Sequence, residues 1–150
     1  MTSTVTNQDE ARIRDLMDEY VAAMRAGDAD RLVARYTPDV VTFTLAPPLR
    51  NSGAEARDPD ALRAWFATFD GPVDFEIRDL DVTAGADLAY CHSLNRLSAT
   101  PAGGSEPFNL WFRATVCLRK VDGKWLVSHE HTSTPFYMDG SFAAALDLQP

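Results

Sequence analysis

The last predicted strand of the chain carries its most chemically versatile side chains. His129 and His131, two of the three histidines, flank Glu130 in the segment Trp125 to Ser133. Imidazole and carboxylate groups transfer protons near neutral pH and also bind metal ions. This segment is therefore the first candidate for a functional site.

A strand places these groups on two faces. Because side chains alternate along a strand, His129 and His131 are expected on one face and Glu130 on the other. The first face would also hold Trp125, Val127 and Ser133, and the second Leu126, Ser128 and Thr132.

Two histidines on one strand face can share a metal ion, but a third ligand is needed. No Asp or Glu is identifiable from its spacing as that ligand. The sequence therefore predicts no metal site, and His129 and His131 are expected on the outer sheet face or in a dimer contact. Cys91 and Cys117 lie inside predicted strands without a Cys-x-x-Cys pattern, which favours buried free thiols.

A β-hairpin positions this strand. Asp122-Gly123 separates two β-rich runs, Trp111 to Arg119 and Trp125 to Ser133. Glycine supplies the positive φ that a tight hairpin turn needs.

Helices are predicted in the first half of the chain. Apolar residues between Asp9 and Arg25 recur at three- and four-residue steps, which is typical of an amphipathic helix. A shorter helix is predicted from Asp28 to Tyr36, with capping acids at its start. A third begins at the N-cap Asp58-Pro59 and ends at Gly71-Pro72.

Strands dominate the second half. They are predicted at 40–45, 73–77 continuing to 80–83, 88–100, 108–120 and in the last hairpin. This order indicates an α+β domain, with helices on one face of a mostly antiparallel sheet. Such a sheet, if strongly curved, can enclose a cavity.

Composition limits the class of protein. The chain has 150 residues, 24% charged and 45% hydrophobic, so one globular domain over residues 1–150 is expected. Residues 1–8 and 137–150 are expected as flexible or peripheral tails, and Ser141 to Leu148 as a short helix or a tail. No apolar run approaches the ~20 residues of a membrane helix, and the N-terminus lacks signal-peptide features, so a cytoplasmic protein is expected. The net charge of −8 opposes binding to nucleic acid.

The order of elements resembles the nuclear transport factor 2-like superfamily. Tyr36-Thr-Pro-Asp-Val-Val resembles the first strand of its SnoaL-like and ketosteroid-isomerase-like members, and 120–136 resembles their last hairpin. The same hairpin resembles the association domain of calcium/calmodulin-dependent protein kinase. Over residues 9–136 the resemblance implies a cone-shaped domain with a cavity between helices and concave sheet, usually a homodimer packed through the sheet.

The resemblance has departures. Ketosteroid isomerases carry a catalytic Asp near the end of the first strand, and that position falls on or near Thr44, which cannot act as a carboxylate base. In the kinase domain an arginine of the matching strand faces the pocket, and His92 aligns with it.

That alignment implies that His92 and Glu130 face the cavity as a general acid/base pair, with Tyr90 as a hydrogen-bond donor. The alternative is a hydrogen-bonded pair that only shapes the cavity. Arg113 is expected in an internal or intersubunit pairing. The residues expected to line a pocket for an apolar molecule are Tyr20, Phe43, Trp65, Phe112, Ser128 and Thr132.

The sequence therefore predicts a SnoaL-like small-molecule pocket protein, acting without a cofactor as an isomerase, cyclase or hydrolase. The alternative is a non-catalytic ligand-binding or homo-oligomer assembly domain, because one fold hosts many functions.

Overall fold

The computed structural model of the chain describes residues 2–104 and 106–150, without the side chains of 2–6. Met1, in the expected N-terminal tail, and Ser105 lie outside the described residues.

Three helices form, and the second and third begin where the capping signals place them. They are α1 (Thr2–Ala26), α2 (Ala29–Ala34) and α3 (Pro59–Phe66). The Asp28 carboxylate accepts from the Arg31 N–H and that of Asp58 from the Asp60 N–H, so both N-caps are confirmed. Helix α1 begins well before the predicted Asp9.

Six strands form one sheet. They are β1 (Tyr36–Phe43), β2 (Asn51–Ser52), β3 (Asp74–Ala84), β4 (Leu88–Ala99), β5 (Phe108–Val121) and β6 (Lys124–Ser133). Their order is β2-β1-β6-β5-β4-β3, and all neighbours are antiparallel except β1 and β6. The predicted α+β class with a mostly antiparallel sheet is confirmed.

The hairpin between β5 and β6 has the predicted turn. Asp122 has a φ of 51° and Gly123 a φ of 79°, and two successive positive φ values are those of a tight turn that matches the strand twist.

The core fills the space between α1 and the sheet. One buried cluster packs Ile13 and Met17 against Val116, Leu118 and Val127. A second joins α1 and α2 to the other ends of the strands; its members are Ala23, Met24, Leu32, Val73, Phe75, Leu97, Ala99 and Phe112. Tyr20 contacts both clusters.

A β-bulge in β6 changes which side chains face this core. Leu118 pairs with Val127 but the preceding Cys117 pairs with His129, so Ser128 is an extra residue in β6. Val127 and Glu130 are both buried as a result, whereas strict alternation put them on opposite faces. The expectation that Trp125, Val127, His129 and His131 share a face was wrong for this reason.

The segment after β6 folds back on itself without forming a helix. The Tyr137 N–H donates to Ala143 O and the Ala145 N–H to Pro135 O, both at 2.8 Å, and Ala145 is buried. Among the described residues, no helix is both long and apolar enough to cross a membrane.

Candidate functional site

Glu130 faces the interior of the domain. It lies opposite Val116 of β5, and Val116 lies opposite Cys91 of β4. Directly opposed residues of neighbouring strands share a face, and Val116 and Cys91 are almost wholly buried. Glu130 is itself only 8% exposed.

Two neighbours contact the Glu130 carboxylate. The Tyr36 hydroxyl donates to Glu130 Oε2 at 2.6 Å. Arg35 Nη2 lies 4.0 Å from Oε1, an ion-pair distance that is too long for a hydrogen bond. We call Tyr20, Arg35, Tyr36 and Glu130 the interior polar cluster.

The Arg35 guanidinium is held in place by other contacts. Its Nε donates to Leu32 O at 3.2 Å. Its carbon lies 4.0 Å from the centroid of the Tyr20 ring and 5.1 Å from that of Tyr36, which are cation–π distances. The side chain is 6% exposed, and Nη1 has no hydrogen-bond partner among the described residues.

The backbone explains why these groups meet. Arg35 follows α2 directly and its carbonyl accepts from the Val127 N–H at 2.8 Å. Tyr36 then opens β1, paired in parallel with β6 at Val127. The junction of α2 and β1 therefore delivers Arg35 and Tyr36 to the strand that carries Glu130.

The electrostatics keep both tyrosines protonated and the arginine charged. Burial, and then the Glu130 charge, raises the pKa of Tyr36 well above its ordinary value and also raises the pKa of Tyr20. Burial lowers the pKa of Arg35, but the oxygens of Tyr36, Glu130 and Tyr20 outweigh it, so the net shift is upward. Tyr36 is thus a hydroxyl donor beside a carboxylate.

The cluster has the parts of an acid–base site. A carboxylate can accept a proton, and a fixed hydroxyl can stabilise a developing oxyanion.

The structure does not bring His92 and Tyr90 to Glu130. The buried residues of β4 alternate from Ala89 through Cys91 and Ser93 to Ala99, so the residues between them face outward, and Tyr90 is 49% exposed. His92 is exposed on that face. The resemblance to the kinase domain placed His92 on the inner face of β4. The observed strand is offset from that alignment by one residue, and such an offset exchanges the two faces of a strand.

The predicted pocket residues divide between the two faces. Tyr20, Trp65 and Phe112 pack in the second core cluster. Thr132 lies opposite buried Ala114, on the inner face.

Two further predicted pocket residues lie elsewhere. Phe43 packs edge-on against His129 and His131, with centroids 4.9 and 5.4 Å away. Ser128 occupies the bulge and donates to Cys117 O at 3.3 Å.

The remaining polar residues lie on the outer sheet face. The His129 ring is hydrogen-bonded through Nδ1 to Val41 O at 2.7 Å, and His131 is exposed. Arg113 is exposed and has no ion pair among the side chains described. In the described part of the chain, no three His, Cys, Asp or Glu side chains cluster as a metal would require.

Sequence reasoning missed Arg35 and Tyr36 as site residues. Both fell within the helix predicted from Asp28 to Tyr36, where Tyr36 was interpreted as part of an apolar face. It also missed buried Asn95, which accepts from the Ser93 hydroxyl at 2.7 Å. The available signal in the sequence was that Asn95 is polar although it occupies a strand position that faces inward.

The clefts of the surface lie beside the interior polar cluster, not within it. One of about 590 Å³ is lined by Arg35, between α1, α2 and the β5–β6 turn. Another of about 780 Å³ lies between the ends of β1 and β6 and the C-terminal segment. Glu130 lines neither.

This architecture is that of the nuclear transport factor 2-like fold. A sequence-family comparison matches the SnoaL-like domain over residues 13–137, and the chain belongs to that family. The comparison with curated proteins finds no match.

Solved structures agree with this assignment. An NTF2-like protein of unknown function from Pseudomonas putida KT2440 is 34% identical, with a TM-score of 0.82 over 97% of this chain and 99% of that one. The predicted superfamily is confirmed.

Two more distant structures show the fold alone. A ketosteroid isomerase-like protein from Erwinia carotovora atroseptica SCRI1043 is 23% identical, with a TM-score of 0.68 over 82% of this chain and 93% of that one. A candidate calcium/calmodulin-dependent protein kinase II association domain from Xanthomonas campestris is 18% identical, with a TM-score of 0.69 over 91% and 87%.

The face assignment predicts different reactivity for the two cysteines. Burial, with the Glu130 charge as the next cause, raises the pKa of Cys91 to about 12, whereas Cys117 is half-buried. Because the thiolate is the reactive form, iodoacetamide at pH 8 should label Cys117 well before Cys91. Labelling of Cys91 should speed up as the pH rises toward 12.

Peptide mass spectrometry on the folded protein measures both rates. In urea, where the protein is unfolded, the two cysteines should be labelled at equal rates. This measurement is the control for their intrinsic reactivity. Faster labelling of Cys91 in the folded protein would contradict the assignment of the β4 faces.

Proposed function

We propose that this protein is a cofactor-independent enzyme that moves a proton on an apolar small molecule, as an isomerase, cyclase or hydrolase does. The observation that carries the proposal is the 2.6 Å hydrogen bond from the Tyr36 hydroxyl to Glu130 inside an otherwise mostly apolar interior. A carboxylate at such a position is the group expected of a general base.

The proposed step is proton abstraction beside a carbonyl. Glu130 takes the proton from carbon, and the electron pair of the broken C–H bond moves onto the carbonyl oxygen. Tyr36 turns its hydroxyl to that oxygen and stabilises its charge. Glu130 then returns the proton to another carbon in an isomerisation, so the reaction needs no oxidant or reductant.

Arg35 acts through charge. Its guanidinium lies 4.0 Å from the Glu130 carboxylate and places a positive charge beside the proposed base.

The substrate site is proposed on the inner face around Tyr20, Trp65, Phe112 and Thr132. Three aromatic rings and two hydroxyls suit a flat apolar molecule with few polar groups. Glu130 is 8% exposed, so substrate binding requires the side chains over it to move.

The isomerase-like neighbour supports a reaction of this class. Its fold is shared, but Thr44 here is exposed beyond the end of β1 and donates to Ala46 O at 3.1 Å. We therefore place the carboxylate base on β6 instead of β1.

Hydrogen–deuterium exchange tests the step directly. Incubation with a panel of alicyclic and aromatic ketones in D₂O should give exchange at the carbon beside the carbonyl, seen by NMR. Glu130→Gln should slow it by about 10³-fold and Tyr36→Phe by about 10²-fold, because they remove the base and the donor.

Tyr137→Phe provides the matched control. It removes a hydroxyl from an exposed tyrosine bonded to Asp147 and should leave exchange unchanged. Circular dichroism checks that each variant is folded. Exchange that survives Glu130→Gln, or no exchange with any ketone, would contradict the proposal.

A second candidate function is assembly through the outer sheet face. The helices cover only the other face, leaving Leu88 67% exposed, with exposed Tyr90 and His92 beside it. His92, Thr115 and His131 lie opposite one another across three strands. We propose that this face forms a symmetric homodimer, as the association-domain neighbour suggests.

His131→Ala tests the homodimer. His131 is exposed on the proposed interface, so loss of its ring should weaken the dimer about tenfold in Kd. Light scattering over a dilution series measures this, with Arg57→Ala in an exposed loop as control. A wild-type protein that is monomeric at every concentration would contradict the dimer.

A further inference from the structure

The cleft between α1, α2 and the β5–β6 turn has an unusual lining. It measures about 590 Å³, within the range of small-molecule sites. Its polar lining residues are Arg12, Glu19, Arg31, Arg35 and Lys124. Four cationic side chains and one acidic side chain thus line a single cleft of a protein whose net charge is −8.

Three of these four cations lack carboxylate partners among the side chains described. Most arginines and lysines of the chain form an ion pair, but Arg12, Arg31 and Lys124 form none with the side chains described. Positive charge collected in a concave surface attracts anions.

Arg35 lines the cleft and also carries a buried donor without a partner. Its side chain is 6% exposed, yet Nη1 has no hydrogen-bond partner among the described residues, and Nη2 is too far from Glu130 for a hydrogen bond. A buried N–H without an acceptor destabilises the folded protein.

The rest of the lining is apolar. Leu16 and Ala23 of α1 face Trp125 and Leu126 of β6 across the cleft. The Trp125 indole is fixed, since its Nε1–H donates to Asp9 Oδ1 at 3.1 Å. Rigid apolar walls suit a hydrocarbon body.

We propose that this cleft binds a small organic monocarboxylate with an apolar body. Its carboxylate pairs with Arg31, Lys124 and Arg35, and its body lies against Leu16 and Trp125. Apolar walls and the Glu19 carboxylate disfavour a multiply charged inorganic anion. The site stands independently of the reaction proposed for Glu130.

Occupation of the cleft also bears on the interior polar cluster. Arg35 lies 4.0 Å from Glu130 and is also one of the residues that line the cleft. A bound carboxylate competes with Glu130 for the same guanidinium.

Benzoate is the test ligand, with the indole N–H signals of Trp65, Trp111 and Trp125 as reporters in ¹H–¹⁵N NMR. Trp65→Phe and Trp111→Phe variants assign the three signals. Benzoate should shift the Trp125 signal saturably and leave the other two in place. Arg31→Gln combined with Lys124→Gln should weaken binding about tenfold or more.

Arg50→Gln combined with Arg57→Gln is the matched control, because it removes the same charge from exposed loop positions and should leave the affinity unchanged. Benzyl alcohol keeps the apolar body but lacks the charge, and sulfate is charged but lacks the apolar body. The two probes therefore test the two features separately. The proposal is overturned if Trp125 does not respond, if either probe matches benzoate, or if the cleft variant binds as the wild type does. None of these readouts depends on turnover.

Discussion

The structure depends on burying the charged pair of Arg35 and Glu130. Removing two charges from water costs several kcal/mol per ion, and their attraction compensates only when the surrounding groups are well placed. Here the Tyr36 hydroxyl bonds one carboxylate oxygen, and two aromatic rings lie against the guanidinium. Because Arg35 and Tyr36 join α2 to β1, the pair fixes that junction against β6.

Local signals predicted the elements well. The Asp28 and Asp58 caps, the apolar period of α1 and the Asp122-Gly123 turn each depend on neighbouring residues, and the structure has all of them. Features that depend on distant residues were not predictable. Neither the parallel pairing of β1 with β6 nor the extra residue Ser128 leaves a local mark in the sequence.

These non-local features decide the candidate site. The bulge turns Glu130 inward without turning Val127 outward, and the parallel pairing brings Tyr36 beside it. Glu130 was a candidate because of its residue type and its place on the strand. Its expected partner His92 faces outward, because a shift of one residue exchanges the faces of β4. The chemistry proposed here therefore uses the same carboxylate with a different hydrogen-bond donor.

The central claim is that Arg35 and Glu130 form one coupled unit, and a double-mutant cycle measures that coupling. Arg35→Met and Glu130→Gln, alone and together, are compared by urea unfolding. Each single change should cost about 3 kcal/mol, because it strands a buried polar partner, and the double variant should lose at least about 1 kcal/mol less than their sum. Additive losses would show that the two groups do not interact and would contradict the account.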